Sequence, residues 1–211
     1  MRQPYPDAFL IPERSEQRAK NDFETVGHTN MAVKITYFVH GTTRDNELGI
    51  SSGWSDVGLS DLGIQQANEL KEKTAAMQFD MVFTSDLKRT IDTAKISWGD
   101  THKIMHDVRL RECNYGDYNG KPSAVVEPLQ ERAITEPMPN GESYEDVKNR
   151  IADFLDDLKQ YYNGKRVAIV AHKAPQLALD VLLKGMTWEE AFMNDWRKTK
   201  SWQPGWDYKL V

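Results

Sequence analysis

Residues 33–46 read Val-Lys-Ile-Thr-Tyr-Phe-Val-His-Gly-Thr-Thr-Arg-Asp-Asn, and the reading of the fold turns on them. Val33, Ile35, Thr36, Tyr37, Phe38 and Val39 are β-branched or aromatic, the residue types that suit a buried pleated surface. The run predicts a buried strand that stops at His40-Gly41. A glycine there lets backbone N–H groups come close to a ligand. In an open α/β sheet, ligands bind at the carboxyl ends of strands. A histidine at such an end either carries a site or finds a local partner, and this stretch alone leaves both open.

Working outward, Val-Ala-Ile-Val-Ala at 167–171 is a second buried strand, and His172 ends it as His40 ends the first. Between them strand and helix signals alternate. Ser60 is placed to cap a helix whose apolar stripe is Gly63, Ala67, Leu70, Thr74 and Met77. Residues 81–84 form a short strand, and Ser85-Asp86 is placed to cap a helix with Leu87, Ile91 and Ala94 facing inward. Residues 103–105 suit another strand, 110–120 a turn-rich loop, and 127–139 a short helix broken by prolines. Asn140-Gly141 marks a turn. Ser143 opens a long helix with Tyr144, Val147, Ile151, Phe154, Leu155, Leu158 and Tyr162 on one face. Pro175 and Gly185 bound the helix after His172. A last helix follows around Trp188–Asp195, then an aromatic tail over 202–208. Such alternation predicts an α/β domain, a mostly parallel central sheet with helices on both faces. His40 and His172 then share one edge of that sheet.

At 211 residues the chain suits one domain, over 31–211, preceded by a charged, aperiodic arm over 1–30 that is expected to be flexible. Hydrophobic residues at 39% and charged residues at 28% mark an ordinary globular protein. A net charge of −5 argues against a general nucleic-acid partner. No apolar run is long enough to span a membrane, and the single cysteine, Cys113, excludes a disulfide framework and fits a cytoplasmic protein. Cys113 reads as packing, since no histidine-paired thiolate is evident.

A neutral imidazole attacks phosphorus well, and the phosphohistidine formed is labile to water. That chemistry needs donors around the phosphoryl oxygens and an acid for the leaving oxygen. Arg89, one turn into the helix after 81–84, can reach the sheet edge and fork onto a phosphate. Glu112, in a turn-rich loop, can serve as an acid, and Asn46 can donate an amide N–H.

The Phe-Val-His-Gly-Thr-Thr run, the stretch from Gly53 through Gly63, the Ser-Asp-Leu-Lys-Arg-Thr run at 85–90, Leu110-Arg111-Glu112 with Tyr115-Gly116 and Gly120, Gly141-Glu142-Ser143 and Val170-Ala171-His172 occur in the order found in one family. Over residues 33–183 the chain resembles the histidine phosphatase superfamily, the phosphoglycerate-mutase-like fold. The resemblance implies a three-layer α/β/α domain. It implies His40 as phosphoryl acceptor, Arg89 and His172 in the phosphate pocket, Glu112 as proton donor, and Asn46, Gly41 and Thr43 around the substrate. It departs from the family's Arg-His-Gly-Glu-Thr in two places: Val39 stands for the arginine and Thr42 for the glutamate. After His172, Lys173-Ala174 replaces Gly-Gly. A nearby cation is expected to replace the arginine: Lys173 first, Arg44 second, then Arg197, Lys198 or Lys200.

The expectation is a phosphomonoester hydrolase acting through a phosphohistidine on a small phosphorylated substrate, with no metal and no other cofactor. Two alternatives stand beside it. One is mutase-type phosphoryl transfer, disfavoured because residues 121–139 are a short segment with few cations. The other is a non-catalytic member of the fold that binds phosphorylated ligands.

Overall fold

The computed structural model describes residues 31–199 and 205–211; the arm over 1–30, Lys200 and Trp202 lie outside the described residues. In chain order the elements are β1 (Val33–Val39), α1 (Arg44–Glu47), β2 (Ile50–Ser51), α2 (Asp61–Thr74), β3 (Met81–Thr84), α3 (Lys88–Trp98) and β4 (Ile104–His106). There follow β5 (Lys121–Pro122), α4 (Ser123–Val126), α5 (Tyr144–Tyr161), β6 (Arg166–Ala171), α6 (Lys173–Lys184), α7 (Trp188–Met193), α8 (Trp196–Thr199) and β7 (Trp206–Leu210).

The main sheet runs β4-β3-β6-β1-β7; β7 is antiparallel to β1 and the other pairings are parallel. Its two faces follow the period-two alternation of strand side chains. Ile35, Tyr37, Phe83, Val167, Ile169 and Ala171 belong to the core shared with Ile151, Phe154 and Leu158 of α5 and Leu177 of α6. Phe38, Val82, Ala168 and Val170 form the other core, with Leu70 of α2 and Ala94 and Trp98 of α3. The expected three-layer arrangement is therefore the observed one.

Local signals explain most boundaries. Ser143 and Asp146 exchange side-chain and backbone bonds in a capping box, and Ser60 Oγ accepts from Gly63 N–H. Gly185, at φ 70°, closes α6 in the left-handed region. Three expectations are corrected. From Trp206 onward the aromatic tail is a strand: Trp206, Tyr208 and Leu210 alternate with Asp207 and Lys209, and β7 pairs along β1. Tyr208 Oη donates to Asp180 Oδ1 on α6, which ties this edge strand to the layer beneath it. The segment 127–139 holds two single 3-10 turns, Glu127–Leu129 and Arg132–Ile134, in place of a helix. Ser85 and Asp86 do not cap α3; Leu87 holds that position without a side-chain bond, because both polar residues are engaged elsewhere.

Parallel register positions the two histidines. Val39 pairs with Ala171, so His40 and His172 are the next residues on adjacent strands, and His40 N–H donates to Ala171 O. The turn after β1 is fixed by a close backbone approach. A Cβ on Gly41 would lie 2.6 Å from Gly63 O, and one on Gly63 would lie 2.0 Å from Thr42 O. The glycine pair thus lets the first turn of α2 press against the residue that follows His40. Gly63→Ala must push the two backbones apart, which by analogy with overpacked cores costs ~1–3 kcal/mol. A melting temperature lower by several degrees is expected; a thermal scan showing no change would remove this close approach as a constraint.

Candidate active site

A cavity of about 280 Å³ opens beside His40, lined by Val39, His40, Thr42, Asn46, Ile50, Glu112, Ser123, Lys173, Trp196 and Arg197. That is small for a ligand pocket and suits a compact substrate. Of the residues singled out in the sequence, it brings together His40, Asn46, Glu112, Lys173 and Arg197, with Val39 and Thr42 of the first motif beside them.

His40 Nδ1 lies 2.7 Å from Gly41 O. A carbonyl oxygen only accepts, so Nδ1 carries the proton and Nε2 keeps its lone pair. The His172 ring centroid is 5.1 Å from that of His40. His172 is fully buried, and both its ring nitrogens are taken by protein groups. Arg89 Nε donates to Nδ1 at 3.3 Å, which makes Nε2 the protonated nitrogen, and that N–H donates to Ser85 Oγ at 2.8 Å. Its backbone is also fixed: Tyr37 Oη donates to His172 O and accepts from His172 N–H. Sequence reasoning missed both partners; Ser85 had been read as a cap and Tyr37 as a core residue.

Arg89 is 2% exposed. Besides His172 it donates through Nη1 to Ser55 O and through Nη2 to Gly53 O. Its fork is aimed at the carbonyls of the 53–55 loop. Trp54, in that loop, donates its indole N–H to Glu112 O and lies under the Arg111 guanidinium, which pairs with Asp86.

Glu112 closes the end of α6. Its Oε1 accepts from the N–H groups of Cys113 and Ala174, and its Oε2 from that of Lys173. The first N–H groups of a helix have no partner within it. Here the first two go to Glu112 and the third residue is Pro175, which has none. The backbone of Glu112 is held from behind by Arg150, whose Nη2 donates to Glu112 O while Nε and Nη2 pair with buried Glu142. Cys113 packs there; burial first, then the neighbouring carboxylates Glu142 and Glu112, push its thiol well above the usual range.

The other expected contacts lie elsewhere. Gly41 N–H donates to Thr93 Oγ1, and the glycine answers to packing against Gly63 instead of ligand approach. Thr43 is buried and caps α1 through Asn46 N–H. Asn46 Oδ1 accepts from Thr43 N–H, so its amide NH2 is the end turned to other partners. Arg44 is exposed on a separate hollow with Glu47, Leu48, Ser60 and Asp61, because the capped first turn of α1 carries it away from the cavity. Lys173 is 5% exposed and its Nζ lies 3.9 Å from Asp195 Oδ2. Asp195 in turn binds Arg197, whose Nη2 also reaches Glu127 Oε1 at 3.5 Å. Ile50, Ser123 and Trp196 complete the wall; none carried a signal in the sequence, since β2, α4 and α8 are too short to show a period.

Comparison with known proteins agrees with this architecture. The family model for the histidine phosphatase superfamily, branch 1, matches residues 37–203. A 2,3-bisphosphoglycerate-dependent phosphoglycerate mutase of Methylocella silvestris is 32% identical over 164 residues, 70% of this chain and 80% of that protein. Phosphoserine phosphatase 1 of Hydrogenobacter thermophilus is 29% identical over 163 residues, 73% of this chain and 77% of that one. The crystal structure of the alpha-ribazole phosphatase from Shigella flexneri superposes with a TM-score of 0.69 at 25% identity, covering 76% of this chain and 84% of that one. With two histidines paired at one strand edge and a family match over most of its length, the chain belongs to the histidine phosphatase superfamily, branch 1.

Proposed function

We propose that the protein hydrolyses a small phosphomonoester, with His40 Nε2 as the nucleophile and a phosphohistidine as intermediate. The observation that carries this reading is the Nδ1–Gly41 O bond, which leaves the lone pair on the other nitrogen of a ring that lines the cavity with Lys173 and Arg197. His40 is pushed down to about 3, by burial first and the Arg89 charge second, so the ring is neutral and nucleophilic throughout the neutral range. Lys173 and Arg197 supply the positive charge that a phosphoryl group needs and that Val39 cannot. A lysine makes a point contact where an arginine forks, so phosphate binds more weakly than at a site with the full family motif. The short segment 121–139, folded into small turns, supports hydrolysis over retention of product for a second transfer.

A second reading, a binder of phosphorylated ligands without turnover, is favoured by one observation: both ring nitrogens of His172, and one N–H from each nitrogen of Arg89, bond to protein groups. Release of phosphate from an aryl phosphate separates the two. Hydrolysis by the wild type, abolished in a folded His40→Ala variant, with acid-labile phosphate trapped on His40, is the expected result. Binding of phosphate without hydrolysis by the wild type selects the second reading, and a phosphoenzyme on another residue removes His40 as acceptor.

The same histidine links stability to pH. Its folded value is depressed below the usual 6.5, so between about 6.5 and about 3 the unfolded chain holds more protons. Its contribution is complete above about 6.5 and is lost as pH falls toward 3. Urea unfolding from pH 7 down to pH 4 is expected to show a shallower loss of stability in His40→Asn than in the wild type; identical slopes would mean that the folded ring titrates normally.

A further inference from the structure

We propose that Asp195 is a positioning residue: it fixes the Arg197 guanidinium and the Lys173 ammonium in the cavity wall, and phosphate binding depends on it. The inference rests on the reading given above, in which these two cations meet the phosphoryl group. Both cations line the cavity, and Asp195 stands behind them.

The two cations come from distant parts of the chain. Lys173 opens α6, directly after His172, and Arg197 stands in α8. A long side chain with many rotamers is a poor clamp until something orders it. Asp195 engages both. Its Oδ1 accepts from Arg197 N–H at 3.0 Å, and its Oδ2 accepts from Arg197 Nη2 at 3.0 Å and Nε at 3.2 Å. Lys173 Nζ lies 3.9 Å from the same Oδ2, and among the described residues no other carboxylate is in ion-pair contact with it. Glu127 also reaches Arg197, at 3.5 Å, but from a side chain 48% exposed, where an ion pair contributes little. The Asp195 side chain is 1% exposed. A carboxylate so buried stays charged only through its partners. Burial, the largest influence, favours the neutral form; the bonds from Arg197 and the charges of Arg197 and Lys173 outweigh it and hold the carboxyl below the usual range. The guanidinium keeps donors to spare: Nε and Nη2 take up Asp195, while Nη1 bonds to no described residue.

Two other duties are open to this carboxylate, and each predicts a different outcome. It caps α8 through Arg197 N–H, which an asparagine would do equally well. It also sets a negative charge beside two cations, and on that ground alone its removal would tighten the hold on an anion. Asp195→Asn keeps the cap and removes the charge and the fork. Capping predicts no change in phosphate binding, neutralisation predicts tighter binding, and positioning predicts weaker binding.

The test measures the Kd of inorganic phosphate by titration calorimetry of the full chain, which needs no turnover, with kcat and KM on p-nitrophenyl phosphate beside it. Asp195→Asn is expected to weaken phosphate about tenfold or more. KM is expected to rise by a similar factor with kcat within about threefold, the pattern of lost binding in place of lost chemistry. Arg197→Gln is expected to weaken phosphate comparably, and the double variant to be no more than about threefold weaker than Arg197→Gln alone. An unchanged or tighter Kd in Asp195→Asn, or full additivity in the double variant, overturns the inference. If Asp195→Asn does not fold, Arg197→Lys decides, since it keeps the charge and loses the fork onto Asp195. A weaker Kd there supports the inference and an unchanged one overturns it. Absence of phosphate binding by the wild type overturns it as well. Binding without release of phosphate from p-nitrophenyl phosphate overturns the hydrolysis reading instead, and leaves Asp195 as the positioning residue of a binding site.

Discussion

A guanidinium buried at the junction of α3, the 53–55 loop and the sheet edge is the constraint on which the site depends. A cation taken out of water is tolerated only when its donors are met. Arg89 places three of its N–H groups, one on a ring nitrogen and two on loop carbonyls. Each bond has a consequence beyond the arginine. The first fixes which nitrogen of His172 carries a proton, and so binds Ser85. The others pin the loop that presents Trp54 to the Glu112 carbonyl. The charge itself helps to keep both histidines neutral, in each case second to burial.

A second buried cation does similar work from the opposite side. Arg150 joins α5 to the backbone of Glu112 and is neutralised by Glu142, 9% exposed at its side chain. Deleting one member of such a pair strands the other and typically costs ~3–5 kcal/mol. The Glu112 loop is therefore held at its carbonyl by Arg150 and Trp54 and at its carboxyl by the start of α6. A carboxylate at a helix N-terminus also interacts favourably with the helix dipole. The strand ends, the loop and the helix start form one rigid wall, and the cavity is what that wall leaves open.

How much of this was legible follows from the range of each signal. β1, β6, α2 and α5 are long, strongly patterned and capped by their own neighbours, so Ser60 and Ser143 announce them. The shared edge of His40 and His172 followed from parallel alternation alone. β7 was not recognised although its side chains alternate, because an edge strand paired with β1 from the far end of the chain has no local partner to announce it. The site residues divide in the same way. His40 and Lys173 could be placed because they adjoin strand ends. Gly41 and Thr43 sit beside His40 in sequence, yet their polar groups face inward to Thr93 and Asn46. Arg44 was misdirected by a capping box that only coordinates reveal. The duties of Arg89 and Glu112 as scaffold rest on partners 34 to 83 residues away, beyond the reach of any sequence spacing.

On the proposed reading, Lys173 after the second histidine stands in for the arginine that the resembled family has before the first, and this is more than a moved charge. Val39 packs against the main core while lining the cavity, so the position itself has become apolar and holds no phosphate. The incoming cation stands at the first position of a helix, with its backbone N–H held by Glu112. An arginine there would keep its proton under all conditions and could only bind. A lysine is a weaker clamp, but burial can bring its acidity near the neutral range, as Lys173 illustrates. On the reading proposed above, a lysine in place of the arginine weakens ground-state binding of phosphate. On that reading the departures from the family motif lower the affinity for phosphate, and the compact cavity around them suits a small substrate.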